Sequence, residues 1–455
     1  MKTNLTKKNI FQRFKDSIYT RSLNPDNDRD RILVSAQSFI FHLHPKTAPE
    51  KSLKLSVTWG LGGILALLLT VQAVTGSLLR FFYSPIPGKA YDSILFLKSN
   101  FIFGDFVRNI HHWSGTFLII IALLHLARVF FTGAYRGKRQ FTWVLGVALF
   151  LLLLASNFTG YLLPWDQLSY WAVTVGTNAF SYIPFAGDKI VEIIRGGKEV
   201  GEATLLTFYT FHTGILPLAL IVFSAFHFWR VRKAGGVVFP DYNSGANKTV
   251  TTIPHLVSRE FIAALVVIAV LSLFAVFFDA PLLEKANPAF SPNPIKAPWY
   301  FQGIQELMLH LHPFFAAVVI PLTIVIILFA LPYLEYDSDQ AGVWFLSDTG
   351  KRTAKLSTAA GIIFSFLFIF ASKFFMDFSL TSDSVPSIVA SGLIPFLFSF
   401  FLLFLYYKFI KTKFNANRAE TNQALFVLLL STFVIFSLIN LFFRGEGMKL
   451  IFPFG

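Results

Sequence analysis

The sequence predicts an all-α integral membrane protein of about nine transmembrane helices, and three observations carry that prediction. Of 455 residues, 54% are hydrophobic and only 14% charged, with 55 phenylalanines, which is too apolar for a soluble domain of this length. Crossing a hydrocarbon core of about 30 Å takes about 20 apolar residues. Nine such runs occur: 56–80, 110–131, 141–162, 209–230, 258–279, 312–332, 356–377, 387–409 and 423–443. The basic residues, finally, alternate from loop to loop. With residues at span edges counted in the adjoining loop, 25 Lys and Arg fall in segment 1–53 and the connections after the second, fourth, sixth and eighth spans, against 11 on the other side. This positive-inside bias places the N-terminus in the cytoplasm.

The net charge of +14 is thereby accounted for by juxtamembrane loops. No basic stripe with interleaved aromatics stands apart from them, so nucleic acid is excluded as a partner and membrane lipid takes its place. The absence of cysteine excludes disulfides, thiolate metal sites, iron–sulfur clusters ligated by this chain and thioether-linked haem. The first 50 residues lack an apolar core with a small-residue cleavage site, so no cleavable signal is expected.

Residues 8–20 place Ile10, Phe11, Phe14 and Ile18 on one helical face and Lys8, Arg13 and Lys15 away from it, as in a helix lying on the cytoplasmic leaflet. The turn-rich stretch 21–31 reads as a linker. Four regions follow: an N-terminal segment 1–53, a four-helix bundle 54–232, a cytoplasmic linker 233–257 and a C-terminal membrane domain 258–455. Long connections at 163–208 and 280–311 lie on one face, where sites tend to be built.

Histidines carry the chemistry. His111 and His125 lie in the second span, His212 and His227 in the fourth, and buried polar groups in a membrane are functional candidates by default. The first spacing is 14 residues, close to four helical turns, which puts both imidazoles on one side about 21 Å apart. The second is 15, with Pro217 between as a candidate kink that adjusts the phase. Antiparallel packing brings His111 opposite His212 near the outer face and His125 opposite His227 near the inner face, each pair an axial ligand set for a haem iron. Gly62 and Gly76 in the first span, and Gly146 and Gly160 in the third, repeat the period of 14 and allow a close approach to backbone. Arg108 and Arg128 sit one turn outside the histidines, where a guanidinium can pair with propionates.

HHWSGTFLIIIALLHLAR (111–128), SNFTGYLLPWDQLSYWAVTV (156–175), FHTGILPLALIVFSAFHFWRVRK (211–233) and APWYFQGIQE (297–306) closely resemble the cytochrome b family, the membrane core of quinol:cytochrome c or plastocyanin oxidoreductases. The match runs over about residues 30–335; the last four spans resemble the family mainly in being apolar. The resemblance implies two non-covalent b haems, on His111/His212 and His125/His227. It implies bifurcated quinol oxidation at an outer pocket, with one electron passing to a Rieske iron–sulfur partner and one crossing to an inner quinone site. A c-type cytochrome subunit, a homodimeric complex and a bacterial plasma membrane are implied too. The 15-residue spacing resembles the photosynthetic and Gram-positive branch. Some members of that branch attach an extra haem to a cysteine before an LGG; Gly60 stands there, so no covalent haem is expected. The family's PEWY motif reads Ala297-Pro298-Trp299-Tyr300, which keeps the aromatic pair and lacks the glutamate that accepts a proton. Glu306 is the nearest downstream carboxylate and is expected to replace it. Arg232 and Lys233 resemble basic residues of the inner quinone site. His42, His44, His310 and His312 receive no role. Two rivals remain: a di-haem anchor of a membrane dehydrogenase, and a secondary transporter with midplane polar groups.

Overall fold

In hydrocarbon every backbone N–H and C=O must be satisfied within its own segment, so apolar runs of this length fold as α-helices. The computed structural model describes residues 27–29, 31–32, 45–240, 248–334, 341–374 and 385–452. The expected surface helix 8–20, His42, His44 and most of the linker 21–31 lie outside them. The described helices are α1 (Leu61–Arg80), α2 (Pro87–Asn100), α3 (Gly104–Phe131), α4 (Gln140–Tyr161), α5 (Gln167–Asn178) and α6 (Gly187–Arg195). Next comes α7, which runs from Glu202–Thr210 through a π turn Phe211–Ile215 into Leu216–Lys233, followed by α8 (Thr252–Phe277) and α9 (Gln302–Met308). Then α10 comprises a π turn Phe315–Val319 and Ile320–Ala330, α11 is Asp348–Phe374, α12 a π turn Ile388–Leu393 with Ile394–Lys413, and α13 is Arg418–Phe443.

Among the described residues nine helices are long and apolar enough to cross a membrane, namely α1, α3, α4, α7, α8 and α10 to α13, one for each apolar run. The protein is an all-α, multi-pass membrane protein. Helix ends differ from the runs where polar residues continue or stop the helix. Both α3 and α7 start before their apolar runs, and each carries an acidic residue in its first turn, Asp105 and Glu202, favoured by the helix dipole. In contrast α1 starts late, because Trp59 (φ 51°) and Gly60 (φ 65°) adopt left-handed backbone and separate it from the turn Leu55–Thr58. The expected linker 233–257 contains Thr249–Thr251, which pairs antiparallel with Thr47–Pro49 and ties this connection to the chain entering the bundle.

Each of the three π turns ends two residues before a proline, Pro217, Pro321 and Pro395. Proline has no N–H and crowds the preceding turn, and widening that turn by one residue relieves the clash. In α7 this has a further effect. The extra residue falls between His212 and His227, so a spacing of 15 there matches the phase of 14 in α3.

Helices α1 and α4 both flank α3, α7 packs on α4, and α8 packs on the side of α3 and α1. Leu68, Leu118, Ala122, Leu153, Leu220 and Leu271 form the core midway along this bundle. The C-terminal helices attach through polar clasps. Gln423 of α13 donates to the carbonyls of Phe130 and Phe131 (3.0 and 3.2 Å), which have no acceptor role left inside α3. Trp143 of α4 donates to the Leu328 carbonyl of α10 (2.7 Å).

Candidate functional site

The four histidines meet the four glycines one to one. A Cβ built on Gly76 of α1 would stand 3.1 Å from Cε1 of His111, and one on Gly62 would stand 3.7 Å from Cε1 of His125. On α4, a Cβ on Gly160 would reach 2.4 Å from Cε1 of His212, and one on Gly146 would reach 3.5 Å from Cε1 of His227. Each histidine helix is therefore flanked by a glycine helix; at Gly160, and less tightly at Gly76, the imidazole takes the space a side chain would need, while at Gly146 and Gly62 a Cβ would be in ordinary contact with it. At one end of the bundle the rings of His111 and His212 lie 6.1 Å apart at 84°. An iron held between these two rings would need a free ring nitrogen from each. At the other end His125 and His227 lie close enough to interact electrostatically. No cluster of three or more His, Cys, Asp or Glu among the described residues could hold a bare metal ion. A haem iron needs only two axial ligands from the chain.

Hydrogen bonds fix which ring nitrogen is free. Nδ1 of His212 lies 2.8 Å from the Ser156 carbonyl, which can only accept, so Nδ1 carries the proton and Nε2 keeps its lone pair. Nδ1 of His111 lies 2.9 Å from Oγ1 of Thr75, whose own proton goes to the Val71 carbonyl (2.7 Å). Thr75 thus accepts from Nδ1, and Nε2 of His111 is again free to ligate. These partners escaped the sequence reading, although isolated polar residues in apolar helices are the signal for them. Gln72 belongs with them. It donates to the His111 carbonyl (2.5 Å) and to Ser114 (2.7 Å), while Asn157 donates to the Gly115 carbonyl (3.1 Å).

Arg108 and Arg128, read as candidate propionate partners, hold backbone carbonyls. Arg108 donates to the carbonyls of Ala280 and Pro281 (2.8 and 2.6 Å), and Arg128 to those of Val57 and Val238 (3.2 and 2.7 Å). Both side chains are buried, and a buried guanidinium with five N–H groups takes the carbonyls that turns leave open. Arg232 and Lys233 close the last turn of α7 near His227, with the Lys233 ammonium 4.9 Å from the Trp229 ring centre.

At the His111 end the loop after α8 lies over the start of α5. The Leu283 N–H donates to the carboxylate of Asp166 (2.9 Å), the residue that also caps α5. Trp299 is partly exposed and Tyr300 buried, and Phe301 packs edge-on against Phe158 of α4 with ring centres 6.0 Å apart. The Tyr300 hydroxyl is buried without a hydrogen-bond partner among the described residues. Burial pushes its pKa up, and nearby Tyr161 adds to the effect.

Glu306 stands in different surroundings from those expected of a proton acceptor. It is fully buried, and both carboxylate oxygens are occupied: Arg444 of the connection after α13 forks onto it (3.0 Å to Oε2, 2.5 Å to Oε1), Asn440 donates to Oε2 (3.3 Å), and His310 Nε2 lies 3.1 Å from Oε1. Burial alone would raise its pKa, but the hydrogen bonds from His310 and Arg444 and the Arg444 charge outweigh that and hold the carboxyl below its ordinary value. His310 is closed in turn by Ser372 of α11, 2.6 Å from Nδ1. His312 turns the chain into α10, its backbone N–H donating to the Ser391 carbonyl (2.9 Å).

A family model described as Cytochrome b/b6/petB matches residues 47–235. The chain is 40% identical over 181 residues to cytochrome b6 of Prochlorococcus marinus strain MIT 9515, covering 40% of this chain and 83% of that protein. Cytochrome b6 of P. marinus strain MIT 9303 matches with the same identity and coverage. Among solved structures, a chain of a hyperthermophilic respiratory Complex III superposes with a TM-score of 0.60 at 22% identity, covering 84% of this chain and 92% of the other, a likeness of fold.

Proposed function

The chain belongs to the cytochrome b family, and from that premise we propose that it is the membrane core of a quinol oxidoreductase that carries electrons across the bilayer on two b haems. The observation that supports this reading best is the one-to-one facing of Gly76, Gly62, Gly160 and Gly146 with His111, His125, His212 and His227. His111 with His212, and His125 with His227, would hold the two irons. Thr75 and the Ser156 carbonyl keep the outer ligands in the ligating tautomer. The haems, when bound, supply the redox chemistry that links the two membrane faces.

The basic-residue bias makes the His111 end the outer face. A quinol entering between the end of α4, α5 and the Trp299–Phe301 turn would meet the Tyr300 hydroxyl, which stays protonated at neutral pH and can donate a hydrogen bond to a quinol oxygen. Trp299 would line that pocket. Bifurcation sends one electron of each quinol to a Rieske iron–sulfur partner and then to a c-type cytochrome, and the other inward to a quinone near Arg232 and Lys233. The complex is read as a homodimer in a bacterial plasma membrane, with the haem bundle and the C-terminal helices as its two regions.

Purification of the complex from native membranes tests the reading. Two extractable b haems per chain and a co-purifying Rieske protein are expected. A haem-free chain would point to a transporter, and a haem-bearing chain with a dehydrogenase in place of the Rieske protein would point to an anchor.

A further inference from the structure

The loop that carries Trp299 and Tyr300 is strapped to the last membrane helix. Within the loop, Gln302 and Gln305 of α9 hold the strand before the aromatic turn: the Ala297 N–H donates to Gln305 (2.8 Å), Gln305 donates to the Ile295 carbonyl (2.7 Å), and Gln302 donates to the Ala297 carbonyl (3.3 Å). Helix α9 in turn lies flush on α13, because a Cβ on Gly303 would stand within 2.6 to 2.8 Å of Phe433 and Ser437. Glu306, one turn after Gln302, is clamped by Arg444 and Asn440. Lys296 donates to the Leu441 carbonyl (2.8 Å), the Gly447 N–H donates to Asn293 (2.6 Å), and Arg444 also holds the Met448 carbonyl (2.9 Å).

We propose that Arg444 is a positioning residue for the outer quinol pocket, acting through its buried fork on Glu306 to fix α9 and with it the Trp299–Tyr300 turn. This rests on the reading of that turn as the quinol pocket. Arg444 is 8% exposed and Glu306 0%, so the pair is shielded from water and salt. A bidentate fork fixes direction as well as distance. Ser372 and His310 extend it to α11, so three elements converge on one carboxylate. In this arrangement Glu306 orients the pocket and takes no proton from the quinol.

The test uses the complex purified from native membranes with Arg444→Gln, Glu306→Gln, the double variant and Arg444→Lys. Each single neutralisation and the double should slow quinol oxidation by about 10- to 100-fold, the scale of a misplaced reacting group, with both haem signals kept. The double should be no worse than either single, Arg444→Lys, which keeps the charge and loses the fork, should recover only part of the rate, and the pH profile should parallel wild type. If a single variant fails to assemble, the double carries the test, since it buries no unpaired charge. Double-variant turnover within about twofold of wild type, or loss of either haem from the double, would overturn the proposal. So would a slow Glu306→Gln with an altered pH profile beside a normal Arg444→Gln, an outcome that assigns Glu306 as the proton acceptor. Trp299→Ala separates the two readings: if it leaves quinol oxidation unchanged, the pocket assignment fails, whereas if it slows the reaction and the Arg444 variants do not, only the positioning role fails.

Discussion

Gly160 on α4 and His212 on α7 sit so close that a Cβ on the glycine would stand 2.4 Å from Cε1 and 2.8 Å from Nδ1 of the imidazole. Both contacts are to a ring held by the Ser156 carbonyl, so the imidazole cannot swing clear without giving up that bond. Gly160→Ala should therefore displace His212 and lose the outer haem. Gly62→Ala, with its Cβ at an ordinary 3.7 Å from His125, should keep the inner one. Haem content and optical spectra of the purified variants check this, and equal retention in both would count against the ligand geometry.

Thr75→Val keeps the shape of the side chain and removes the oxygen that accepts from Nδ1 of His111. Loss of such a partner costs about 10- to 100-fold in affinity of a histidine-held metal group. The variant should bind haem weakly at the outer site alone and shift its midpoint potential. A redox titration unchanged from wild type would remove Thr75 from the site.

His125→Leu should lose the inner haem and retain outer haem, since the two pairs lie at opposite ends of the bundle and share no ligand. With no cysteine in the chain, acidified acetone should extract all haem. Haem staining that survives on a denaturing gel at 51.2 kDa would contradict non-covalent binding.

Much of this site was legible in the sequence because it rests on periodicity. A period of 14 in α1, α3 and α4 fixes which residues share a face, and an apolar background makes four imidazoles conspicuous. The 15-residue spacing in α7 read as an irregularity to be absorbed near Pro217, and the π turn Phe211–Ile215 is how the chain absorbs it. What stayed hidden depends on partners distant in sequence. Nothing local to Glu306 announces Arg444, 138 residues away, so the sequence alone does not show that this carboxylate has a buried counterion. The backbone partners of Arg108 and Arg128 were hidden for a related reason: the carbonyls they bind belong to turns whose paths the sequence does not specify.

Glu306 also makes stability depend on pH in a direction that can be worked out. Its ordinary value is 4.5, and the hydrogen bonds from His310 and Arg444, with the Arg444 charge, outweigh burial and depress it in the folded protein. A carboxyl depressed on folding binds fewer protons in the native state than in the unfolded one, so its contribution is fully present above the ordinary value and is lost as pH falls below it toward the depressed value. Single removal of either partner at neutral pH would leave the other buried and unpaired, at a cost of about 3–5 kcal/mol. The double variant Glu306→Gln with Arg444→Gln is therefore the proper reference, since a neutral amide pair has nothing to protonate. Thermal release of haem, followed from pH 7 down to pH 3.5, should give midpoints for wild type and double variant that run parallel above about pH 5 and then diverge, with wild type falling faster. Midpoints that stay parallel over the whole range would mean that Glu306 keeps its ordinary affinity for protons, and that the fork to Arg444 does not hold it ionised.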